Sequence, residues 1–248
     1  MSIFDQKVIK YEMKPLSSLE KVFPDETPVY RMECQMLSGL WGETVSFQVA
    51  YTGDFVMRER LDVRVVSELA EHVHVRTVEM VPVGRATNGI VDDNYLKTTS
   101  GLYPDLLKDL KDGKVIVYSR QWRSLWVDVD ITNEIPAGEY EIELQLIKEG
   151  EVVCSAKQKV TVIGTELPKL DIMHTEWMHA DCLADYYHVE VFSEEHWKLL
   201  ENYFQEYVKR DCNMMLTPLF TSPLDTAIGL ERTTCQLIDV EVKDGEYV

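Results

Sequence analysis

The chain has 248 residues, 45% of them apolar, which is enough material for one large domain or two of ordinary size. Its 43 acidic and 25 basic side chains leave a net charge of −18, which repels phosphate backbones and anionic lipid and excludes nucleic acid and membrane surfaces as partners. The five cysteines are scattered without a CxxC pair, and neither an apolar leader nor a run of about 18 to 20 apolar residues is present, so reduced thiols and a cytoplasmic location are expected.

From about residue 29 to 163 the apolar pattern has period two. In EYEIELQL, Tyr140, Ile142, Leu144 and Leu146 fall on one face and Glu139, Glu141, Glu143 and Gln145 on the other, as a strand with one wet face requires. Similar runs occupy 44–51, 60–66, 72–83, 114–119, 124–131 and 152–163, with turn residues between them. Helical character is confined to a short turn near PDLLKDLKD. Seven to nine short strands at this spacing predict an antiparallel β-sandwich over residues 1–165, in which His72 and His74 share a strand face and Trp122 and Trp126 belong to the core or a domain interface.

The pattern changes at GTELPKL, where Gly164 and Pro168 make a hinge. Leu170, Ile172 and Met173 predict a short apolar strand, followed by the polar stretch HTEWMHADCLADYY. Next, Trp197, Leu200, Tyr203, Phe204, Tyr207 and Val208 recur at three- and four-residue steps, the stripe of an amphipathic helix that Ser193 caps and Glu194 and Glu195 start. NMMLTPLF (213–220) predicts a buried strand, which completes a βαβ unit of a parallel sheet. The final QLIDVEVKDGEYV predicts a strand, a Lys-Asp-Gly turn and a short return strand.

The polar stretch allows three readings. His174, Glu176, His179, Asp181 and His188 could ligate a metal, but HExxH spacing is absent and His-x-Glu lacks a PCxxC partner, so no metal and no cofactor are expected. A polar connection is the second reading. Carbohydrate binding fits best, because sugars present flat C–H faces to aromatic rings and rim hydroxyls to carboxylates and imidazoles. Sites in parallel α/β sheets also gather beyond the carboxyl ends of strands.

GLYPDLL (101–107), QWRSLWVDVDI (121–131) and PAGEYEIELQL (136–146) resemble the β-sandwich that precedes the catalytic barrel of glycoside hydrolase family 123 and its uncharacterised relatives. HTEWMHADCLADYY, FSEEHW (192–197), NMMLTPLFTSPLDT (213–226) and ERTTCQLIDV (231–240) resemble the first portion of that (β/α)8 barrel. The resemblance implies action on β-linked N-acetylgalactosamine or a related amino sugar by substrate-assisted chemistry, in which the substrate acetamide attacks the anomeric carbon and an adjacent Asp-Glu pair supplies the carboxylates. The only Asp-Glu step here is Asp25-Glu26, in the sandwich, and it receives no catalytic role.

Only some eighty residues follow the hinge, whereas a barrel needs about 200 or more. Residues 166–248 are therefore expected to form the incomplete first part of a (β/α)8 domain, in a truncated or fragmentary glycoside hydrolase that is inactive as this chain and self-associates through residues 169–248. Its sugar-lining residues would be His174, Glu176, Trp177, His179, Asp181, Thr217, Phe220, Asp225 and Arg232. The alternative is a non-catalytic carbohydrate-binding or assembly module.

Overall fold

The computed structural model describes residues 10–29, 36–55, 58–87, 89, 91, 95–169, 171–217 and 242–247. The chain divides into two compact units, Met1–Leu167 and Pro168–Val248. Among the described residues the protein is mainly β, and none of its helices is long and apolar enough to cross a membrane.

Among its described residues the first unit holds ten strands. In chain order they are β1 (Lys10–Ser17), β2 (Met36–Trp41), β3 (Thr44–Asp54), β4 (Glu59–Val66), β5 (Val73–Val83), β6 (Gly101–Asp109), β7 (Lys114–Val117), β8 (Arg123–Asp130), β9 (Gly138–Lys148) and β10 (Glu151–Glu166). One five-stranded sheet runs β1-β3-β8-β5-β6 and is antiparallel throughout. The other runs β2-β10-β9-β4-β7. It is antiparallel except at its edge, where β2 joins β10 in parallel, a departure from the all-antiparallel expectation.

Alternation explains the core. Phe47, Val49, Leu125, Val127 and Val129 of the first sheet and Leu61, Ile142, Leu144, Leu146, Val160 and Val162 of the second are buried in one cluster, while the residues between them point to the opposite faces of the sheets. Gly39 on β2 is required by this packing. A Cβ there would stand 2.5 Å from Val45 Cγ2 and 2.6 Å from Ile131 Cδ1. A smaller cluster of Leu16, Val22, Ala50 and Trp122 closes one flank. Beside it, buried Gln48 accepts from Ser124 Oγ (2.9 Å) and donates to the Glu20 carbonyl (2.7 Å), so its burial leaves no amide group unsatisfied.

Several expectations for this unit are corrected. PDLLKDLKD is not a helical turn, because Pro104 to Asp109 belong to edge strand β6, paired with β5. His72 ends a 3-10 turn, Ala70–His72, so it does not share a strand face with His74, whose Nε2 lies 3.2 Å from Asp130 Oδ2. Trp122 is core, as expected, whereas Trp126 is half-buried and donates to Asp128 Oδ1 (2.7 Å).

The second unit holds β11 (Thr175–Trp177), α1 (Ala180–Tyr187), α2 (Glu194–Lys209), β12 (Met214–Leu216), and a two-residue hairpin of β13 (Val242–Lys243) and β14 (Glu246–Tyr247). The first four form the expected βαβ order, with β11 and β12 parallel. Asp244 (φ 54°) and Gly245 (φ 85°) make the hairpin turn, where left-handed backbone favours these residue types.

Three expectations shift here. The strand is Thr175–Trp177, not the apolar run ending at Met173; Ile172 and Met173 are exposed, and Leu170 lies outside the described residues. The cause is local. Asn213 Nδ2 donates to the Ile172 carbonyl (2.8 Å) and Asn213 Oδ1 accepts from the His174 N–H (3.0 Å), so a side chain rather than a strand partner satisfies this backbone. The second strand spans only Met214–Leu216 and is half-exposed rather than buried, with Phe220 outside the described residues. The polar stretch is not a loop, because Ala180 to Tyr187 form α1, which buries Ala180, Asp181 and Ala184.

In the first unit, Glu59 accepts from Tyr11 Oη and from Lys148 Nζ (2.9 Å). Burial works against its carboxylate, but these hydrogen bonds outweigh it and hold the Glu59 pKa below its ordinary value. A depressed carboxyl pKa stabilises the fold fully above the unfolded value of about 4.3, and that contribution fades as pH falls through the folded pKa. Glu59→Gln is therefore expected to cost about 1.5–3 kcal/mol at pH 7. Urea unfolding of both proteins should show that gap closing as the solution is acidified below the unfolded value.

Candidate functional site

The second unit is held together by a buried histidine. His196, fully inaccessible on α2, accepts from the Phe192 N–H at Nδ1 (2.9 Å) and donates from Nε2 to the Ala180 carbonyl (2.8 Å). Both contacts fix the ring proton on Nε2 and tie the start of α2 to the start of α1. Ser193 Oγ accepts from the His196 N–H (3.2 Å), the helix cap expected from the sequence. Around this point Met178, Ala180 and Leu200 are buried, with Leu183, Val191, Phe192, Tyr207 and Met215 packed on them.

This packing gives the strand pair two different faces. Glu176 is opposite Met215, and Met215 packs toward the helices, so Glu176 shares the helix-side face. Thr175 is opposite Met214 and Trp177 opposite Leu216, on the other face, where Trp177 is 66% exposed. Along that face Met214 and Leu216 are also open to solvent.

The expected sugar-lining residues therefore separate. His174 and Glu176 come together, with His174 Nε2 3.3 Å from Glu176 Oε1. Trp177 stands on the opposite face at the carboxyl end of β11. His179 precedes α1 without a side-chain cap, and Asp181 is buried in the first turn of that helix. Thr217, half-buried, follows β12 directly. Phe220, Asp225 and Arg232 lie outside the described residues.

One neighbour was not among the residues singled out in the sequence. Cys212 Sγ lies 3.6 Å from His174 Nδ1 and 3.7 Å from Nε2. Burial, together with the carboxylates of Glu176 and Asp211, pushes the Cys212 thiol above its ordinary pKa. The signal that could have found it is the parallel strand pairing, which sets the residues just before β12 beside those just before β11.

Residues 177–248 match the family described as Glycoside hydrolase 123, catalytic domain. A family 123 glycoside hydrolase from Clostridium perfringens superposes with a TM-score of 0.58 at 13% identity, over 81% of this chain and 36% of that one. The chain is similar to family 123 glycoside hydrolases. It spans about a third of the length of that structure, and at this identity the likeness is one of fold. Weaker likenesses join 64% of the chain to 17% of a β-glucosidase from Listeria innocua (TM-score 0.28, 10% identity). In another such likeness, 66% of the chain matches 93% of AvmM, a protein described as catalysing macrocyclisation in alchivemycin A biosynthesis (0.32, 11%). Those two scores are too low to bear on this chain. No curated protein matches it.

Replacing His196 by Ala would strand the Phe192 N–H, costing about 1–3 kcal/mol, and would remove the side-chain bond to the Ala180 carbonyl that ties α2 to α1. Hydrogen exchange across 178–216 should accelerate in that variant while the β3, β8 and β9 amides keep their protection.

Proposed function

We propose that this chain carries the sandwich and the first βα unit of an amino-sugar glycoside hydrolase of the family 123 type, and that by itself it binds the sugar without cleaving it. The match of residues 177–248 to the family's catalytic domain carries this reading. Residues 168–248 are taken as the beginning of a (β/α)8 domain. In such a barrel the face turned away from the helices is the interior, and ligands sit beyond the carboxyl ends of the strands. Trp177 meets both conditions. Its exposed ring offers the flat apolar platform that a pyranose C–H face stacks on, and Thr217, at the corresponding end of β12, offers a hydroxyl to the rim.

Cleavage by the substrate-assisted route needs one carboxylate to orient the acetamide and one acid to protonate the leaving oxygen. Asp25 and Glu26, the only adjacent Asp-Glu step, are committed elsewhere. Both pair with Lys97, at 3.0 and 2.8 Å, and Lys97 Nζ stands 4.1 Å over the Phe23 ring. They form a surface clasp in the first unit, which supports binding without turnover.

The alternative, a carbohydrate-binding module, has one observation in its favour. An open hollow of about 460 Å³ in the first unit is edged by Trp41, Thr44, Asp130, Asn133 and Glu166. Calorimetry with N-acetylgalactosamine and with chitobiose on the whole chain separates the two. Trp177→Ala should weaken binding at least about tenfold, or 1.4 kcal/mol; binding that survives this change places the ligand on the sandwich. The purified chain should release no aglycone from an aryl N-acetylgalactosaminide, and turnover at an enzyme-like rate would overturn the non-catalytic reading.

The same reading assigns self-association to the exposed flank of α2, where Trp197, Phe204 and Val208 lie open. Light scattering should show mass rising with concentration, and Val208→Glu should suppress the rise.

A further inference from the structure

The cluster of His174, Glu176 and Cys212 combines an imidazole, a carboxylate and a thiol whose ligand atoms all lie within 4.8 Å of one another. We propose that it is a binding site for a zinc-like divalent cation, held on the helix side of the strand pair and separate from the aromatic face that Trp177 presents.

The distances carry the proposal. Zinc binds thiolate sulfur at about 2.3 Å, imidazole nitrogen at about 2.0–2.1 Å and carboxylate oxygen at about 2.0–2.2 Å, with tetrahedral angles. Those lengths place nitrogen about 3.4 Å from oxygen and about 3.6 Å from sulfur when both flank one ion. Here His174 Nε2 is 3.3 Å from Glu176 Oε1 and 3.7 Å from Cys212 Sγ. Two of the three separations match a single shared ion, and the third, between Glu176 and Cys212, lies within 4.8 Å, where the partly exposed Glu176 side chain can close it by rotation.

The support is rigid. His174 is fixed through its backbone N–H to Asn213 Oδ1, and the same Asn213 amide reaches back to the Ile172 carbonyl. Cys212 is fixed by its N–H to the Tyr207 carbonyl (3.1 Å) at the end of α2, just after the left-handed turn at Asp211 (φ 58°). The three ligands thus come from two strand starts that the parallel pairing holds in register.

Ligand chemistry selects the cation. Magnesium and calcium take oxygen ligands almost exclusively, whereas a thiolate with an imidazole and one carboxylate suits zinc or cobalt(II). Three protein ligands leave a fourth position for water. Entry is open, because the side chains of His174 and Glu176 are 42% and 50% exposed. On binding, the Cys212 S–H bond yields its proton to solvent and the sulfur pair becomes the metal bond, with no change of oxidation state.

The test is cobalt(II) titration of the whole reduced chain, read by the thiolate-to-cobalt charge-transfer absorption and confirmed by zinc displacement in calorimetry. One equivalent per chain should saturate the band, and calcium and magnesium should leave it absent. Cys212→Ser should abolish the band, and His174→Ala should weaken zinc binding by more than about 100-fold, beyond the 10- to 100-fold loss expected of an outer partner. Cys182→Ser, at an exposed thiol, should retain full binding, and circular dichroism should show the same fold in every variant. A band that survives Cys212→Ser, or no saturable band in the folded parent chain, overturns the proposal. Because the readout involves no sugar, it is independent of the function proposed above.

Discussion

The three-residue parallel pairing of Thr175–Trp177 with Met214–Leu216 is the constraint on which the functional half depends. Parallel strands cannot be joined by a tight turn and need a long crossover, here α1 and α2 together. So short a ladder contributes few hydrogen bonds, and the crossover must carry the stability. It does so with a small apolar cluster around Met178, Ala180 and Leu200, and with His196, whose two ring nitrogens bond the Phe192 N–H ahead of α2 and the Ala180 carbonyl in the first turn of α1. The orientation of every side chain at the site follows from which face of this pair the helices cover.

The first unit rests on different physics. Its core is the sum of many alternating strands, each contributing every second residue, and no single contact dominates it. The same alternation made it legible. Strands over 44–51, 60–66, 124–131, 139–146 and 152–163 show their wet and dry faces directly in sequence. The strands that escaped reading lie mostly at sheet edges, where one side has no partner and the pattern is diluted. β1 carries Pro15 and β6 carries Pro104, residues that sheets tolerate at edges but that read as breaks. β2 is interrupted by Gly39, which is there because Val45 and Ile131 leave no room for a side chain. Its parallel pairing with β10 could not be inferred from periodicity at all, since both directions share period two.

In the second unit, legibility followed the strength of the local signal. The cap at Ser193 and the stripe of α2 state a helix plainly, and its bounds agree closely. α1 is two turns long and carries acids, a cysteine and two exposed tyrosines, so its apolar stripe of Ala180, Leu183 and Ala184 is easily mistaken for a polar loop. Placing the strand on the apolar run ending at Met173 had a larger consequence. Alternation makes the face of a residue depend on the strand's phase, and the observed strand separates His174 and Glu176 from Trp177, which the sequence alone groups in one pocket. Spacing along the chain does not mark Cys212, because its position beside His174 is set by the turn at Asp211 and the pairing of two strands far apart in sequence.

The separation of the two faces bears on chemistry. A net charge of −18 disfavours phosphorylated and nucleic-acid ligands, yet it would leave a neutral sugar unaffected, because the stacking proposed for Trp177 and hydrogen bonds to rim hydroxyls carry no net charge. A divalent cation is treated differently again. The field of the whole chain attracts it, and the carboxylates of Glu176 and Asp211, which oppose a bare thiolate on Cys212, become favourable once a cation lies among the ligands. One βαβ unit thus presents an uncharged aromatic face, where the sugar is proposed to bind, and a charged, thiol-bearing edge, where the cation is proposed to bind. The strand pleat between them lets the two differ in polarity without either desolvating the other.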